Sequence, residues 1–187
     1  MPYKVPNITD FRHLSERQKD PVLIYLPASQ PSLKSVLKAV TQLDLPCHAY
    51  ISNVPMEKVT KLAGPKVVFH RKPLVFEQVL LTSRLIIHHA GLATSYAALK
   101  AGTPQLVITK NLEHSITAKD LLKLGVAIKD RASAKPEPER IMSHIDQLLR
   151  DEAIWDAAFR AATESARQPE QQSLEAVVEA CQQLLDQ

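Results

Sequence analysis

Residues 85–104, LIIHHAGLATSYAALKAGTP, decide the fold of this chain. The apolar residues 85–87 predict a buried strand, which two histidines and the small-residue turn 90–93 follow. After the turn we expect a helix that Thr94 or Ser95 opens and a glycine closes. The stretch therefore predicts a strand, a tight turn and a helix, which together form one unit of a parallel α/β sheet.

The junction of this strand with its helix is typical of an anion-binding site. The free N–H groups of the first helical turn and the positive end of the helix dipole point at one place. Ala90 and Gly91 let a phosphate approach the backbone closely, and His89 can donate a further hydrogen bond. We therefore expect the diphosphate of a nucleotide here. Alternation along the strand sends His88 to the other side, so we interpret His88 as structural.

The rest of the chain repeats the strand–helix unit about six times. Strands are predicted over residues 21–29, 47–52, 66–71, 85–87, 105–109 and 126–130. Helices are predicted after Ser32, which can cap the first of them, and over residues 56–63, 75–83 and 112–124. The pattern predicts a Rossmann-like α/β fold with one doubly wound parallel sheet of about six strands and right-handed crossovers.

We divide the chain into three parts. Residues 1–20 are polar and without a clear period, so we interpret them as an arm or linker. Residues 21–131 hold the predicted α/β domain, which is large enough to bury a core without disulfides. Residues 132–187 carry C-terminal helices that pack on or beside the domain. These helices are predicted over residues 139–150, 152–167 and 173–185.

Charge is unevenly distributed along the 187 residues. The chain has 23 basic and 20 acidic residues, of which residues 151–187 hold two basic and eight acidic. The remaining 21 basic and 12 acidic residues give residues 1–150 a formal charge of +9. Such a basic body suits an anionic ligand, or a peripheral contact with an anionic membrane surface. No basic motif interleaved with aromatic residues occurs, so we expect no nucleic-acid partner.

The cysteines and histidines predict neither a disulfide framework nor a metal site. Cys47 and Cys181 lie far apart and outside any CxxC spacing, as in a reduced, cytoplasmic protein. No Asp-x-Asp or His-x-x-x-His spacing occurs, so we expect neither a metal nor a cofactor. No apolar run reaches membrane-spanning length and no signal peptide opens the chain, which agrees with the cytoplasm.

Four separated blocks of residues carry a family resemblance. They are Pro73; His89, Gly91, Ala98, Gly102 and Pro104; Glu113 and His114; and Gly125. In order and spacing these blocks are similar to the W-x-P-Q, H-G-G-x-x-x-x-x-E-A-x-x-x-G-x-P, D-Q and glycine blocks of UDP-glycosyltransferases. Over residues 21–130 the chain resembles the C-terminal, nucleotide-sugar-binding domain of GT-B glycosyltransferases. The resemblance implies that domain's Rossmann-like fold, with extra C-terminal helices, and a UDP- or dTDP-sugar substrate.

The resemblance implies which residues hold the donor diphosphate. They would be His89 and the backbone around Gly91, Ala93 and Thr94. Ser29, after the first strand, falls where the family has a serine near the phosphates. A strand-end histidine and a helix-capping serine are the structural alternatives for His89 and Ser29.

The resemblance also implies a base site and a sugar site. Arg71 and Pro73 would hold the base, with Arg71 in place of the family's aromatic platform. Glu113 and His114 would face the sugar hydroxyls. Ala97 stands where the family has the Glu that holds the ribose. An exposed arginine and a solvated first helical turn are the structural alternatives for Arg71 and for the Glu113-His114 pair.

The family's enzymes have a second, N-terminal half of similar size that binds the acceptor and usually supplies the catalytic base. We therefore expect this chain to be the donor-binding half of an inverting, metal-independent glycosyltransferase. It would be inactive without an N-terminal domain or a separate partner subunit, and an exposed cleft face would favour weak self-association. The alternatives are a degenerate donor domain that serves assembly, and half of another GT-B enzyme such as a nucleotide-sugar epimerase.

Overall fold

Six parallel strands form the centre of this computed structural model, which describes residues 14–61, 63–131 and 137–167. The strands are β1 (Val22–Pro27), β2 (Cys47–Ser52), β3 (Val67–Phe69), β4 (Leu85–His88), β5 (Gln105–Thr109) and β6 (Ala127–Arg131). Their order across the sheet is β3-β2-β1-β4-β5-β6, and every neighbouring pair is parallel. The predicted doubly wound, Rossmann-like sheet is therefore confirmed.

Helices cover both faces of the sheet. Those in the described residues are α1 (Leu33–Val40), α2 (Met56–Thr60), α3 (Phe76–Val79), α4 (Leu92–Lys100), α5 (Leu112–Lys123), α6 (Pro138–Arg150) and α7 (Glu152–Arg167). Helices α1 and α6 share one hydrophobic core, whereas residues of α4, α5 and α7 line the opposite face. The helices predicted over 139–150 and 152–167 are confirmed, and the one predicted over 173–185 lies outside the described residues.

Strand β4 is buried on both sides because its side chains alternate between the two cores. Leu85 and Ile87 pack into the core shared with α1 and α6. Ile86 packs into the core on the other face, beside Ala98 of α4. Burying one such aliphatic side chain stabilises the fold by about 1.5–3 kcal/mol. The apolar run that predicted this strand thus also fixes it at the centre of the sheet.

The start of α4 differs from the prediction. The helix begins at Leu92 with Gly91 at its N-cap, so neither Thr94 nor Ser95 opens it. Both side chains are buried within the first turns instead. The extended backbone of Gly91 and the tight turn before it place the N-cap three residues before Thr94. Ser32 occupies the N-cap position of α1 as predicted, but its hydroxyl makes no capping hydrogen bond.

Two other predicted elements are shorter in the structure. Strand β3 has three residues rather than the six of 66–71, and it lies at the sheet edge and pairs only with β2. The helix predicted over 75–83 divides into α3 and a 3-10 turn, Leu80–Thr82. There the hydroxyls of Thr82 and Ser83 both donate to the carbonyl of Val79, competing with the helical bonding pattern.

The described part of the predicted arm packs against the domain at the amino edge of the sheet. Arg17 is buried and donates to the carbonyl oxygens of Ser83 (3.2 Å) and Ala101 (3.2 Å). Its guanidinium also lies 5.9 Å from the ring centroid of Trp155 in α7. The division of the chain at residues 20 and 131 stays a prediction. None of the helices in the described ranges has both the length and the apolar character needed to cross a membrane.

Candidate functional site

The strand order reverses between β1 and β4. From β1 the chain builds outward through β2 and β3, then returns to place β4 on the other side of β1. In open parallel sheets, ligands bind in the crevice at the carboxyl ends of the strands where the order reverses. Here the crevice lies between residues 28–32, after β1, and residues 89–91, after β4. The predicted diphosphate residues lie in these two segments and in the first turn of α4.

A fully buried histidine at the end of β4 is hydrogen-bonded to the turn that follows the strand. His88 Nε2 lies 3.0 Å from Oε1 of Gln105 in β5. The N–H of Ala90 donates to His88 Nδ1 at 3.3 Å, so Nδ1 carries no proton and His88 donates through Nε2. Gln105 Nε2 in turn donates to the carbonyl of Ser95 in α4 at 3.3 Å. The turn and the helix are thus tied to two strands, which agrees with the structural role predicted for His88.

Burial keeps this inner histidine neutral. Loss of contact with water lowers the pKa of His88 to about 3. The hydrogen bond to Gln105 raises that pKa in part, and the nearby His89 and His114 lower it. At neutral pH the imidazole therefore carries one proton, as its two hydrogen bonds require.

The turn leaves an imidazole and free amides at the same place. Ala90 has a left-handed backbone with φ 66°, and Gly91 follows with φ −64° and ψ 135°. A Cβ at Gly91 would lie 3.0 Å from Nε2 of His89. The glycine therefore leaves room for the imidazole ring beside the turn. The first helical bond runs from the Ser95 N–H to the Gly91 carbonyl at 2.9 Å. The N–H groups of residues 92–94 precede that bond and can bind an anion.

The predicted sugar residues lie beside the predicted diphosphate residues. His114, in the first turn of α5, contacts His89 edge to face, with ring centroids 4.6 Å apart. Nδ1 of each ring is buried and makes no hydrogen bond within the described part of the chain. Burial and then the nearby His114 lower the pKa of His89, whereas Glu113 raises it. The side chain of Asn111 caps α5 by accepting from the His114 N–H at 2.9 Å.

Two hydrogen bonds cross above the end of β4. Lys110, directly after β5, places its Nζ 3.3 Å from the carbonyl oxygen of Ser29. Gln30 Nε2 donates to the carbonyl of Ile108 at 3.3 Å. Because β4 lies between β1 and β5, both bonds span the strand whose end carries His89. The role predicted for Ser29 stays a prediction, because its described contact is made by the backbone carbonyl. Lys110 was not among the residues predicted from the sequence.

The predicted base residues lie outside the crevice, farther along the carboxyl edge of the sheet. Arg71 and Pro73 are exposed in the loop after β3, three strand positions from β4, or about 14 Å at the usual strand spacing. Arg71 lines a pocket of about 260 Å³ together with Phe69 of β3 and Val59 of α2. The fold thus places the base candidates apart from the diphosphate candidates, along the same carboxyl edge.

The arrangement can bind a doubly charged group without a large local excess of cations. Each helix N-terminus acts as about half a positive charge, and two of them meet where His89 contacts His114. The amides of α4 and the two imidazoles supply hydrogen-bond donors for phosphate oxygens. Within residues 14–61, 63–131 and 137–167, no group of three or more His, Cys, Asp or Glu residues is arranged to hold a metal ion.

Solved structures of glycosyltransferases share this fold. Glycosyltransferase VinC in complex with dTDP superposes with a TM-score of 0.73 and 19% identity, covering 97% of this chain and 45% of VinC. The spinosyn rhamnosyltransferase SpnG gives 0.72 and 20%, covering 96% and 49%. SnogD from Streptomyces nogalater gives 0.67 and 22%, covering 87% and 44%. The chain therefore spans less than half the length of these relatives. A comparison with curated proteins gave no match.

Residues 34–184, most of the chain, match the model of one protein family. That family is the C-terminal domain of proteins similar to erythromycin biosynthesis protein CIII. The match agrees with the fold shared with the glycosyltransferases and with the resemblance read from the blocks around His89 and Glu113. This chain belongs to the EryCIII-like C-terminal domain family.

Proposed function

We propose that this chain is the donor-binding half of a glycosyltransferase and holds the diphosphate of a UDP- or dTDP-sugar. The observation that carries the proposal is the meeting of two helix N-termini and two imidazoles at the switch point of the sheet. There the rings of His89 and His114 are 4.6 Å apart and each has a buried, unpartnered Nδ1. A buried imidazole nitrogen without a partner is costly unless a ligand satisfies it, and a phosphate oxygen does so.

The proposed reaction is an inverting displacement. An acceptor hydroxyl attacks the anomeric carbon of the sugar and gives its proton to a base. The new carbon–oxygen bond forms on the face opposite the diphosphate, and the bond from the anomeric carbon to the phosphate oxygen breaks. Negative charge then grows on the departing diphosphate, where oriented donors lower its energy. In this chain the donors are the amides of residues 92–94 and the N–H of His89. The proposal includes no metal ion and no cofactor.

The sugar and the base are assigned to the two sides of the diphosphate. Glu113, in the first turn of α5, can accept hydrogen bonds from sugar hydroxyls, and His114 can donate one. The base would stack against the guanidinium of Arg71 beside Pro73, in the loop after β3. The charge of +9 on residues 1–150 favours an anionic nucleotide over a neutral ligand.

A second half must complete the site. The chain covers 45% of VinC and 49% of SpnG, so roughly half of each relative has no counterpart here. We propose that an N-terminal acceptor-binding domain or a partner subunit supplies the base and the acceptor, and that the chain alone is inactive. We place the complex in the cytoplasm. Exposed apolar residues along α4 and α5, among them Leu92, Tyr96 and Ile116, support the proposed self-association.

Calorimetric titration of the chain with dTDP and UDP tests the proposal. We expect dissociation constants between micromolar and millimolar, and at least a tenfold weaker value in His89→Ala, which loses one charge-assisted hydrogen bond. His144→Ala is the matched control, because it removes an imidazole from α6 on the opposite face of the sheet. Unchanged binding in His89→Ala, or equal losses in both variants, would contradict the assignment of the site.

One observation favours a non-catalytic alternative. Ala97 packs against the core that contains Leu80 and Ile86, and its methyl group cannot hold the ribose hydroxyls as a glutamate would. A donor domain without that contact could have lost nucleotide binding and serve only assembly with a partner. This alternative would be favoured if calorimetry detects no binding heat with any common nucleoside diphosphate, while circular dichroism shows that the chain is folded.

A further inference from the structure

Lys110 reaches over the turn that begins α4. Its Nζ donates to the Ser29 carbonyl at 3.3 Å, across the end of β4. The register pairs Tyr25 of β1 and Val107 of β5 with His88, so the bridge passes above His88. The ammonium and the N–H groups of residues 92–94 therefore both lie at the carboxyl end of the sheet. Its remaining two protons are directed to no other group in the described residues.

Lys110 is an exposed cation at the start of a helix. Lys110 directly precedes Asn111, the N-cap of α5, and the positive end of a helix dipole repels a cation there. No carboxylate forms an ion pair with Lys110 among the residues that the structure describes. Its one partner among the described residues is the neutral Ser29 carbonyl, so the charge is free to pair with an anion. A bound anion between the two helix N-termini would turn the repulsion into attraction.

We propose that Lys110 is a diphosphate-binding residue of the donor site. The inference rests on the proposed function and adds to it a cation that neither the family blocks nor the sequence pattern assigned. On binding, Nζ would donate to a phosphate oxygen beside the amides of α4, and it would offset the charge that grows on the diphosphate as the sugar leaves. The bond to the Ser29 carbonyl holds the ammonium at that place in the free chain.

Titration of the full 187-residue chain with thymidine, dTDP and inorganic pyrophosphate tests this inference. For Lys110→Met we expect about 10- to 100-fold weaker binding of dTDP and pyrophosphate, and unchanged binding of thymidine, which has no phosphate. Lys110→Arg should recover most of the affinity, since it keeps the charge. Lys123→Met, at the far end of α5, is the control and should bind like the wild type. The melting temperature of each variant reports any loosening of the loop.

The outcomes distinguish failure of the Lys110 inference from failure of the proposed donor function. If the wild type and Lys110→Met bind dTDP equally, the role of Lys110 is overturned while the donor site stands. If the wild type binds pyrophosphate through Lys110 but no nucleotide, the donor function fails and the anion site stands. If the wild type binds neither, both are overturned. A loss that is equal for thymidine and dTDP would assign Lys110 to the structure of the loop and would also overturn the inference.

Discussion

The buried histidine under the site makes the stability of the fold depend on pH. The pKa of His88 is about 3 in the folded chain, against 6.5 for an imidazole in water, because burial disfavours the charged ring. Below about pH 6.5 the unfolded chain therefore takes up a proton that the folded chain does not. The stability that neutral His88 contributes is complete above that pH and is lost as the pH falls toward 3.

The loss of unfolding free energy at pH 5 follows from the difference between that pH and the pKa of His88 in the unfolded chain. At about 1.36 kcal/mol for each pH unit below 6.5, the unfolding free energy falls by about 2 kcal/mol. Urea unfolding followed by circular dichroism at pH 7, 6 and 5 measures it. Other groups titrate in the same range, so the change in unfolding free energy is compared with that of His88→Gln, whose amide does not titrate and can still donate to Gln105. Those other groups contribute equally to the pH dependence of both proteins.

We expect the wild type to lose about 2 kcal/mol more than His88→Gln between pH 7 and pH 5. The sign is fixed by the direction of the pKa shift, because only the unfolded wild type gains a proton at residue 88. Parallel pH profiles for the two proteins would refute the reasoning. They would mean that His88 accepts a proton in the folded chain as readily as an imidazole does in water. The hydrogen bonds to Ala90 and Gln105 would then not hold the ring neutral.

Two glycine substitutions test the turn and the packing behind it. Gly102→Ala should lower the unfolding free energy by about 1–2 kcal/mol, because φ +62° disfavours a side chain and the new Cβ would lie 3.3 Å from Cβ of Ala162. Urea unfolding beside Gly64→Ala, whose Cβ would meet nothing nearer than 3.7 Å, checks it, and equal losses would contradict it. Gly91→Ala should keep the fold and weaken dTDP binding about tenfold by displacing the His89 ring, 3.0 Å from the new Cβ. Unchanged affinity in calorimetry would show that the position of the ring does not matter.

Much of the scaffold could be predicted because local pattern and tertiary packing agree. Strands β2 and β5 coincide with the predictions over 47–52 and 105–109, where apolar runs are bounded by prolines or polar residues. The start of α4 was predicted wrongly because threonine and serine are favoured N-caps, and their preference was overridden by the turn at Gly91. The shorter length of β3 follows from no local pattern, and β6, which also has one neighbour, reaches its predicted length.

The residue pattern alone predicted the candidate site only where its residues are close in sequence, and the family resemblance added Ser29, Glu113 and His114. The amides of the first turn of α4 follow His89 directly, so the strand–turn–helix pattern already placed them together. The contact between the rings of His89 and His114 depends on β4 and β5 being neighbours. The bond from Lys110 to Ser29 joins residues 81 positions apart, across a strand that neither belongs to. Such partners follow from the strand order, which the repeated strand–helix units do not determine.

The turn at residue 90 links the buried histidine to the proposed ligand site. A left-handed alanine costs about 1–2 kcal/mol, and the structure keeps Ala90 there with φ 66°. Its N–H donates to His88 and its methyl group is buried in the core beside Val107, and both contacts offset the strain. These contacts lie within the protein, so they orient the amides that follow independently of any ligand. Under the proposed function, diphosphate binding would then not have to order the turn, and its interaction energy would not be reduced by that entropy. His88 would act by positioning the turn, since it is too deeply buried to touch the ligand.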